Sequence, residues 1–115
     1  MGFRAHQRVK SQISYSDKAY FNWLAGGVCE YIDSHIENAN VIDDMGCLKT
    51  ELEIPVSELK QHVEELKVRN PKDELPDLKD YKVKDLIEIF EDWLNTQEKN
   101  KDNIDYPEFI YIDWF

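Results

Sequence analysis

The chain has 115 residues, of which 24 are acidic and 14 basic, so its formal charge is -10 and its pI is about 4.6. This charge argues against a protein that binds nucleic acid through a basic face. The sequence has no apolar run near the ~18 residues that a membrane-spanning helix requires. We expect one compact acidic domain, residues 1–115, of ordinary size.

The charge is unevenly distributed along the chain. Residues 1–29 contain four basic and one acidic side chain, a net charge of +3. Residues 30–115 contain 10 basic and 23 acidic side chains, a net charge of -13. The pattern predicts a short basic N-terminal arm in front of a strongly acidic body.

The cysteines and the N-terminus favour a cytoplasmic location. Cys29 and Cys47 match no metal-ligand or redox spacing. The basic residues 1–10 have no apolar segment behind them, as a secretory signal would. We therefore expect two reduced, packed thiols, with a disulfide or a reactive thiol as the alternative.

The N-terminal third predicts a strand followed by a long helix. Residues 8–15 alternate between apolar and polar side chains, as a half-buried strand does. Ser16 is a plausible N-cap, and apolar residues recur at helical spacing over residues 17–37. Residues 38–46 read as a connection, with Gly46 closing a turn.

The rest of the chain predicts two strands and two helices. Period-2 alternation indicates a strand over residues 48–54, and apolar stripes indicate helices over 57–67 and 82–96. Residues 70–81 form a charged loop that contains two prolines, and residues 109–115 form a strand that is apolar on both faces. The order β-α-β-α-α-β predicts an α+β fold. It has a small antiparallel or mixed sheet of about three strands, with three helices packed on one face.

Two packing relationships follow from these elements. The strand near residues 9–15 should pair with the strand at 109–115, because the latter is too apolar to stand alone. The apolar stripes should meet in one core that contains Phe21, Leu24, Val28, Ile32, Leu59, Val63, Leu66, Leu86, Phe90 and Leu94.

The sequence contains no recognisable catalytic, phosphate-binding or metal-binding motif. His6, His35 and His62 fall on different predicted elements, and we interpret His35 and His62 as histidines at the core boundary. We therefore expect no cofactor, no metal and no enzymatic activity. The alternative is an enzyme with a dispersed site, which would show a deep pocket where carboxylates or His35 converge.

Acidic residues offer the first candidate binding surface. Asp85, Glu88 and Asp92 lie on the predicted outer face of the helix over residues 82–96, and Glu51 and Glu53 lie on the polar side of the strand over 48–54. Regularly spaced carboxylates imitate the charge of a nucleic-acid backbone and would bind a basic target. The alternative is a charged face that only interacts with solvent.

Two aromatic features offer further binding surfaces. Trp23 falls on the polar side of the predicted first helix, where it either packs under another element or contacts a partner. The apolar C-terminal strand is either central in the sheet or covered by a partner, including a second copy in a homodimer.

These features favour a non-enzymatic acidic protein-binding module. Its expected role is that of an inhibitor blocking a basic surface of a larger protein, including a surface that binds nucleic acid, without binding nucleic acid or membrane itself. In composition alone the chain resembles phage-encoded inhibitors of host defence and bacterial immunity proteins, and no residue motif carries that resemblance. The alternative is a structural or regulatory subunit that uses Trp23 or the C-terminal strand.

Overall fold

The computed structural model describes residues 4–10, 14–22, 28–44, 49–75, 78–103 and 107–114. The strands are β1 (Arg4–Lys10), β2 (Ser14–Asn22), β3 (Asn40–Asp44), β4 (Lys49–Pro55), β5 (Glu74–Leu75), β6 (Leu78–Lys82) and β7 (Phe109–Trp114). The helices are α1 (Val28–His35), α2 (Val56–Lys67) and α3 (Val83–Asn100), with a short 3-10 helix, Lys101–Asn103, after α3. The α+β class with three helices is confirmed.

The main sheet is larger than predicted. Five strands pair in the order β2-β1-β7-β4-β3, and each neighbouring pair is antiparallel. A separate two-stranded ribbon, β5 and β6, lies within the segment predicted as a charged loop. The expectation of about three strands was therefore wrong in number, and the missed strands are mostly those with a polar sequence.

The largest local correction concerns residues 14–22, which form β2 rather than the start of a helix. β2 pairs with β1, with Tyr20 opposite Ala5 and Ala19 opposite His6. Tyr and Phe residues favour strands, and pairing across a hairpin overrides a helical spacing of apolar residues. The four basic residues of the predicted N-terminal arm lie in this hairpin, as part of the main sheet.

β3 was predicted as a connection because residues 40–44 are mostly polar. It is an edge strand, with Val41 opposite Leu52 and Asp44 opposite Lys49 in β4. An edge strand has one open side, where charged residues discourage pairing with another chain. Its polarity therefore reflects its position rather than an irregular backbone.

β7 occupies the centre of the main sheet, as its apolar sequence indicates. Ile112 lies opposite Gln7 of β1 on one side and opposite Leu52 of β4 on the other. The first and last strands do pair, but through residues 5–7. The prediction that residues 9–15 form the pairing strand is wrong, because β1 ends at Lys10 and β2 begins at Ser14. Because β7 has a strand on each side, a second copy would have to pair at β2 or β3 instead.

The core lies between the helices and one face of the main sheet. Leu52, Ile54, Ile110 and Ile112 are fully buried and alternate with half-buried neighbours, so one sheet face is covered. All three helices contribute to this single cluster, and its predicted members Ile32, Leu59, Val63, Leu66, Leu86 and Phe90 are buried. Because they share this one core, all three helices lie on the same face of the main sheet. Leu94 is only partly buried, Leu24 lies outside the described residues, and nothing is described of the Phe21 and Val28 side chains.

α3 is longer than predicted and is rotated about its axis relative to the predicted stripe. Ile89 and Gln97 are buried, whereas Ile87 and the predicted core residue Leu94 are only partly buried. Gln97 Nε2 donates hydrogen bonds to the carbonyl oxygens of Pro107 and Phe109, at 2.9 and 2.8 Å. These bonds join α3 to the start of β7 and fix the rotation. Among the described helices, α3 included, none is both long enough and apolar enough to cross a membrane.

Candidate binding site

The predicted acidic row on α3 does not form one exposed surface. Glu88 is exposed, but Asp85 and Asp92 are half-buried because of the rotation of the helix. Asp85 Oδ2 accepts a hydrogen bond from the backbone N–H of Lys82 at 2.9 Å, which satisfies a free donor at the start of α3. Asp85 therefore stabilises the helix terminus, and Glu88 is the most exposed of the three.

The two predicted glutamates of β4 lie in a different part of the molecule. Glu53 alternates with the buried Leu52 and Ile54, so it lies on the sheet face away from the helices. The backbone of Glu51 pairs with Asp113 of β7, and that of Glu53 pairs with Tyr111, so both glutamates lie in the main sheet. The predicted acidic residues are thus divided between the helical layer and the sheet. Trp23 lies outside the described residues.

A cavity of about 210 Å³ lies where the end of α1 meets α2. Its lining residues are polar or ionisable and are His35, Glu37, Glu58, Gln61, His62 and Glu65. The spacing of residues 58, 61, 62 and 65 places them on one face of α2. Just after Glu37, Asn38 takes a left-handed conformation with φ of 63°, which ends the helical turn and directs the chain into β3.

His62 is the buried member of this cavity wall, with only 6% of its surface exposed. The Tyr31 hydroxyl lies 2.7 Å from His62 Nε2 and forms a hydrogen bond with it. The imidazole ring stacks with that of His35 at 5.9 Å and contacts the Phe90 ring at 6.1 Å. The Tyr31 and His35 ring centroids are 4.4 Å apart, so the two histidine rings of the lining belong to a cluster of aromatic rings behind the cavity.

The second nitrogen of His62 has no such partner. Nδ1 is out of contact with solvent and forms no hydrogen bond with the part of the chain that the structure describes. Burial lowers the pKa of His62; Glu65 opposes this, while His35 and Arg69 lower it further. The imidazole is therefore neutral at neutral pH and has one unused hydrogen-bonding position.

The carboxylates around the cavity have no cationic partner among the described residues. Elsewhere the helices pair their charges: Lys67 bridges Glu64 and Glu91 at 3.5 and 3.4 Å, and Lys101 contacts Glu98 at 2.9 Å. In contrast, the carboxylates that line the cavity form no such ion pair within the described ranges, and they belong to Glu37, Glu58 and Glu65. These carboxylates are therefore free of direct ion pairs in the described structure, although Arg69 lies near enough to affect the pKa of His62.

The lining residues determine which chemistry the cavity can support. Carboxylates and a neutral imidazole accept hydrogen bonds, and the lining contains no serine, threonine or cysteine that could act as a nucleophile. Over the described ranges, no three His, Cys, Asp or Glu side chains are arranged to hold a metal ion. The arrangement is suited to binding a cationic group that donates several hydrogen bonds.

The sequence contained a partial signal for this cavity. Glu58, His62 and Glu65 are spaced by four and three residues beside the apolar stripe of α2, which predicts that they share a face. The interpretation of His35 and His62 as separate boundary histidines missed their stacking. Their contact depends on how α1 packs on α2, and no local spacing reports that.

Comparison of the chain with protein-family models, with curated proteins and with solved structures finds no match.

Proposed function

We propose that this chain is a non-enzymatic acidic module that binds a basic surface of a larger protein and blocks it. The observation that supports the proposal is the cavity between α1 and α2. It is lined by three carboxylates that have no cationic partner among the described residues. A lysine or arginine side chain of a partner supplies the missing charge. Charge-assisted hydrogen bonds of this kind are about twice as strong as neutral ones.

The overall charge supports the same proposal. A formal charge of -10 speeds the encounter with a basic protein surface and disfavours binding to nucleic acid. Glu88 is exposed on α3 and forms no ion pair with the described residues, but it lies outside the cavity, so the proposed site does not include it. A cytoplasmic location belongs to this proposal, since the two cysteines have no spacing typical of a disulfide framework.

A specific observation also favours a second candidate, an enzyme with a dispersed site. A neutral imidazole beside carboxylates in a cavity resembles a general acid–base arrangement. The first proposal is preferred because His62 Nε2 is already bonded to Tyr31 and the cavity lining includes no serine, threonine or cysteine. Turnover of a substrate that is abolished by His62→Gln while the fold is intact would favour the enzyme instead.

The proposal is tested with matched charge variants. Glu58→Gln with Glu65→Gln removes two carboxylates from the cavity. Glu88→Gln with Glu108→Gln removes two exposed carboxylates elsewhere and is the control. Binding to an immobilised peptide of arginine, lysine and glycine is measured by surface plasmon resonance at low and moderate salt.

The cavity pair should weaken binding by ~10-fold or more, because each lost charged hydrogen bond contributes about 1.5–3 kcal/mol. The control pair should change it by less than ~3-fold, which is the effect of reduced long-range attraction. Equal losses for the two pairs would contradict a localised site and would leave only diffuse electrostatic attraction.

A further inference from the structure

We infer that His62 is a proton-driven side-chain switch: when its imidazole gains a proton, the ring leaves Tyr31 and moves into the cavity between α1 and α2. Glu58 and Glu65 receive the positive charge there. In this position the ring occupies the site that the proposed function assigns to a basic side chain of a partner. The consequence, release of a basic partner at low pH, rests on the proposed function, whereas the movement rests on the geometry around His62.

The described position of His62 suits only the neutral ring. The side chain is 6% exposed, and Nε2 lies 2.7 Å from the Tyr31 hydroxyl. A neutral imidazole has one N–H and one acceptor nitrogen, whereas an imidazolium has two N–H groups. Whichever tautomer is present at neutral pH, the charged ring has an N–H at Nδ1, a buried atom without a partner among the described residues. The charged ring therefore leaves a buried donor unsatisfied, which is unfavourable.

The groups around the buried ring also disfavour its charge, with one exception. His35 of α1 stacks on His62 with 5.9 Å between the ring centroids, so two charged rings would repel each other. Burial is the main cause that lowers the pKa of His62, and His35 and Arg69 lower it further. Glu65 of α2 raises this pKa, and the neighbour from α3 is the neutral ring of Phe90. Movement toward Glu65 therefore relieves the cost of the charge.

The cavity provides a second position for the ring. Glu58 precedes His62 by four residues and Glu65 follows it by three, so the three side chains are neighbours on one face of α2. All three line the cavity, and neither carboxylate forms an ion pair within the described ranges. The cavity of about 210 Å³ has the volume of several water molecules, and hence of one imidazole ring. Rotation about the Cα–Cβ bond to another staggered rotamer carries the ring there.

The movement changes the cavity in two ways. It breaks the Tyr31–His62 hydrogen bond that joins α1 to α2, and it adds a positive charge beside the cavity carboxylates. A basic side chain of a partner then meets an occupied and partly neutralised site. Binding of a basic partner should therefore be strongest at neutral pH and should weaken as the pH falls below about 6.5, the usual pKa of histidine.

The inference is tested by NMR measurements of the ring position between about pH 7.5 and 5. Long-range ¹H–¹⁵N correlation spectra report the protonation of His62, and nuclear Overhauser effects report the neighbours of its ring. At neutral pH the ring should show these effects with Tyr31 and Phe90. As its nitrogens adopt the charged form, these effects should disappear, and new ones with the side chains of Glu58 and Glu65 should replace them.

Two matched pairs of variants test which carboxylates receive the charge. Glu58→Gln with Glu65→Gln should lower the midpoint of the transition by about 0.5 pH units or more, because a nearby carboxylate favours the charged imidazole. Glu88→Gln with Glu108→Gln removes the same charge elsewhere and should shift the midpoint by less than about 0.2 pH units, because solvent screens distant charges.

Two results of the NMR measurements would overturn the switch. The first is a charged His62 ring that retains its contacts with Tyr31 and Phe90. The second is loss of those contacts only together with global unfolding, seen as simultaneous loss of the folded amide signals of α3 and β7. In either case the ring has no second position in the folded protein.

Binding of the peptide of arginine, lysine and glycine at the same pH values separates the switch from the proposed function. Binding should weaken by ~5-fold or more between about pH 7.5 and 5.5, and His62→Gln should show a flatter pH dependence. If the ring moves but binding does not depend on the cavity carboxylates, the proposed function fails and the movement stands. If binding depends on those carboxylates but the ring does not move, the switch fails and the proposed function stands.

Discussion

The Tyr31 hydroxyl and His62 Nε2 are 2.7 Å apart, and this buried hydrogen bond joins α1 to α2. It fixes the orientation of an imidazole that is otherwise held by ring contacts alone. The cavity wall therefore depends on a contact between two helices rather than on either helix by itself. The first two predictions concern this pair of residues.

Tyr31→Phe should lower the free energy of unfolding by about 1–3 kcal/mol. The substitution retains the ring but leaves both His62 nitrogens without a hydrogen-bond partner in a buried position. Urea unfolding at neutral pH measures the loss. Ser34→Ala, at an exposed position on the same helix, is the control and should change stability by less than ~0.5 kcal/mol. A similar small change for Tyr31→Phe would show that the hydrogen bond is unimportant.

Stability should fall with decreasing pH below about 6.5, partly because of His62. Burial lowers its pKa in the folded protein relative to the usual value of about 6.5 in an unfolded chain. Below that value the unfolded state binds the proton more readily, so the unfolding free energy decreases until the folded pKa is passed. Glu65 opposes this effect, and His35 and Arg69 strengthen it.

The measurement is a series of urea midpoints between about pH 7.5 and 5 for the natural chain and for His62→Gln. The variant should show a shallower fall across this window, because the titrating group is gone. Parallel curves for the two proteins would mean that other groups account for the pH dependence.

Asp85→Ala should destabilise the protein by about 0.5–1.5 kcal/mol, whereas Glu88→Ala should have an effect below ~0.5 kcal/mol. Asp85 accepts the backbone N–H of Lys82 at 2.9 Å at the start of α3, and Glu88 is exposed without an ion pair in the described structure. Thermal and urea unfolding compare the two variants. A reversed order of the two losses would contradict the assignment of Asp85 to helix capping.

Phe90→Ala should cost about 3–5 kcal/mol, as expected for a fully buried aromatic side chain. Its ring lies 5.5 Å from that of Trp93 and 6.1 Å from that of His62, so the substitution leaves a void beside the cavity wall. Val68→Ala, at a position that is 87% exposed, is the control. A loss below 1 kcal/mol for Phe90→Ala would contradict the packing of α3 described above.

The elements that sequence patterns predicted well are those whose structure is set locally. α2 and β4 follow their apolar periodicity closely, and β7 is central, as its two apolar faces indicate. β2 and β3 were missed because pairing with the adjacent strands β1 and β4, rather than their own periodicity, determines them. The spacing of apolar residues over residues 17–37 is compatible with a helix throughout and with a strand followed by a helix. Only pairing with β1 selects the strand for residues 14–22.

The candidate site was less predictable than the fold. The acidic composition directed attention to carboxylates on α3, but the rotation of that helix leaves Asp85 and Asp92 half-buried. The stacking of His35 on His62 arises from the packing of two helices that are separated by β3 and β4 in sequence. Such a contact depends on the tertiary arrangement, for which a single sequence has no periodic signal.

The most direct test of the central claim is to map backbone and side-chain NMR shifts while the basic peptide is added. The account predicts that the largest changes cluster at the residues lining the cavity, namely His35, Glu37, Glu58, Gln61, His62 and Glu65. Changes concentrated on the outer face of α3 around Glu88, on the sheet face around Glu53, or spread evenly over the acidic surface would contradict it.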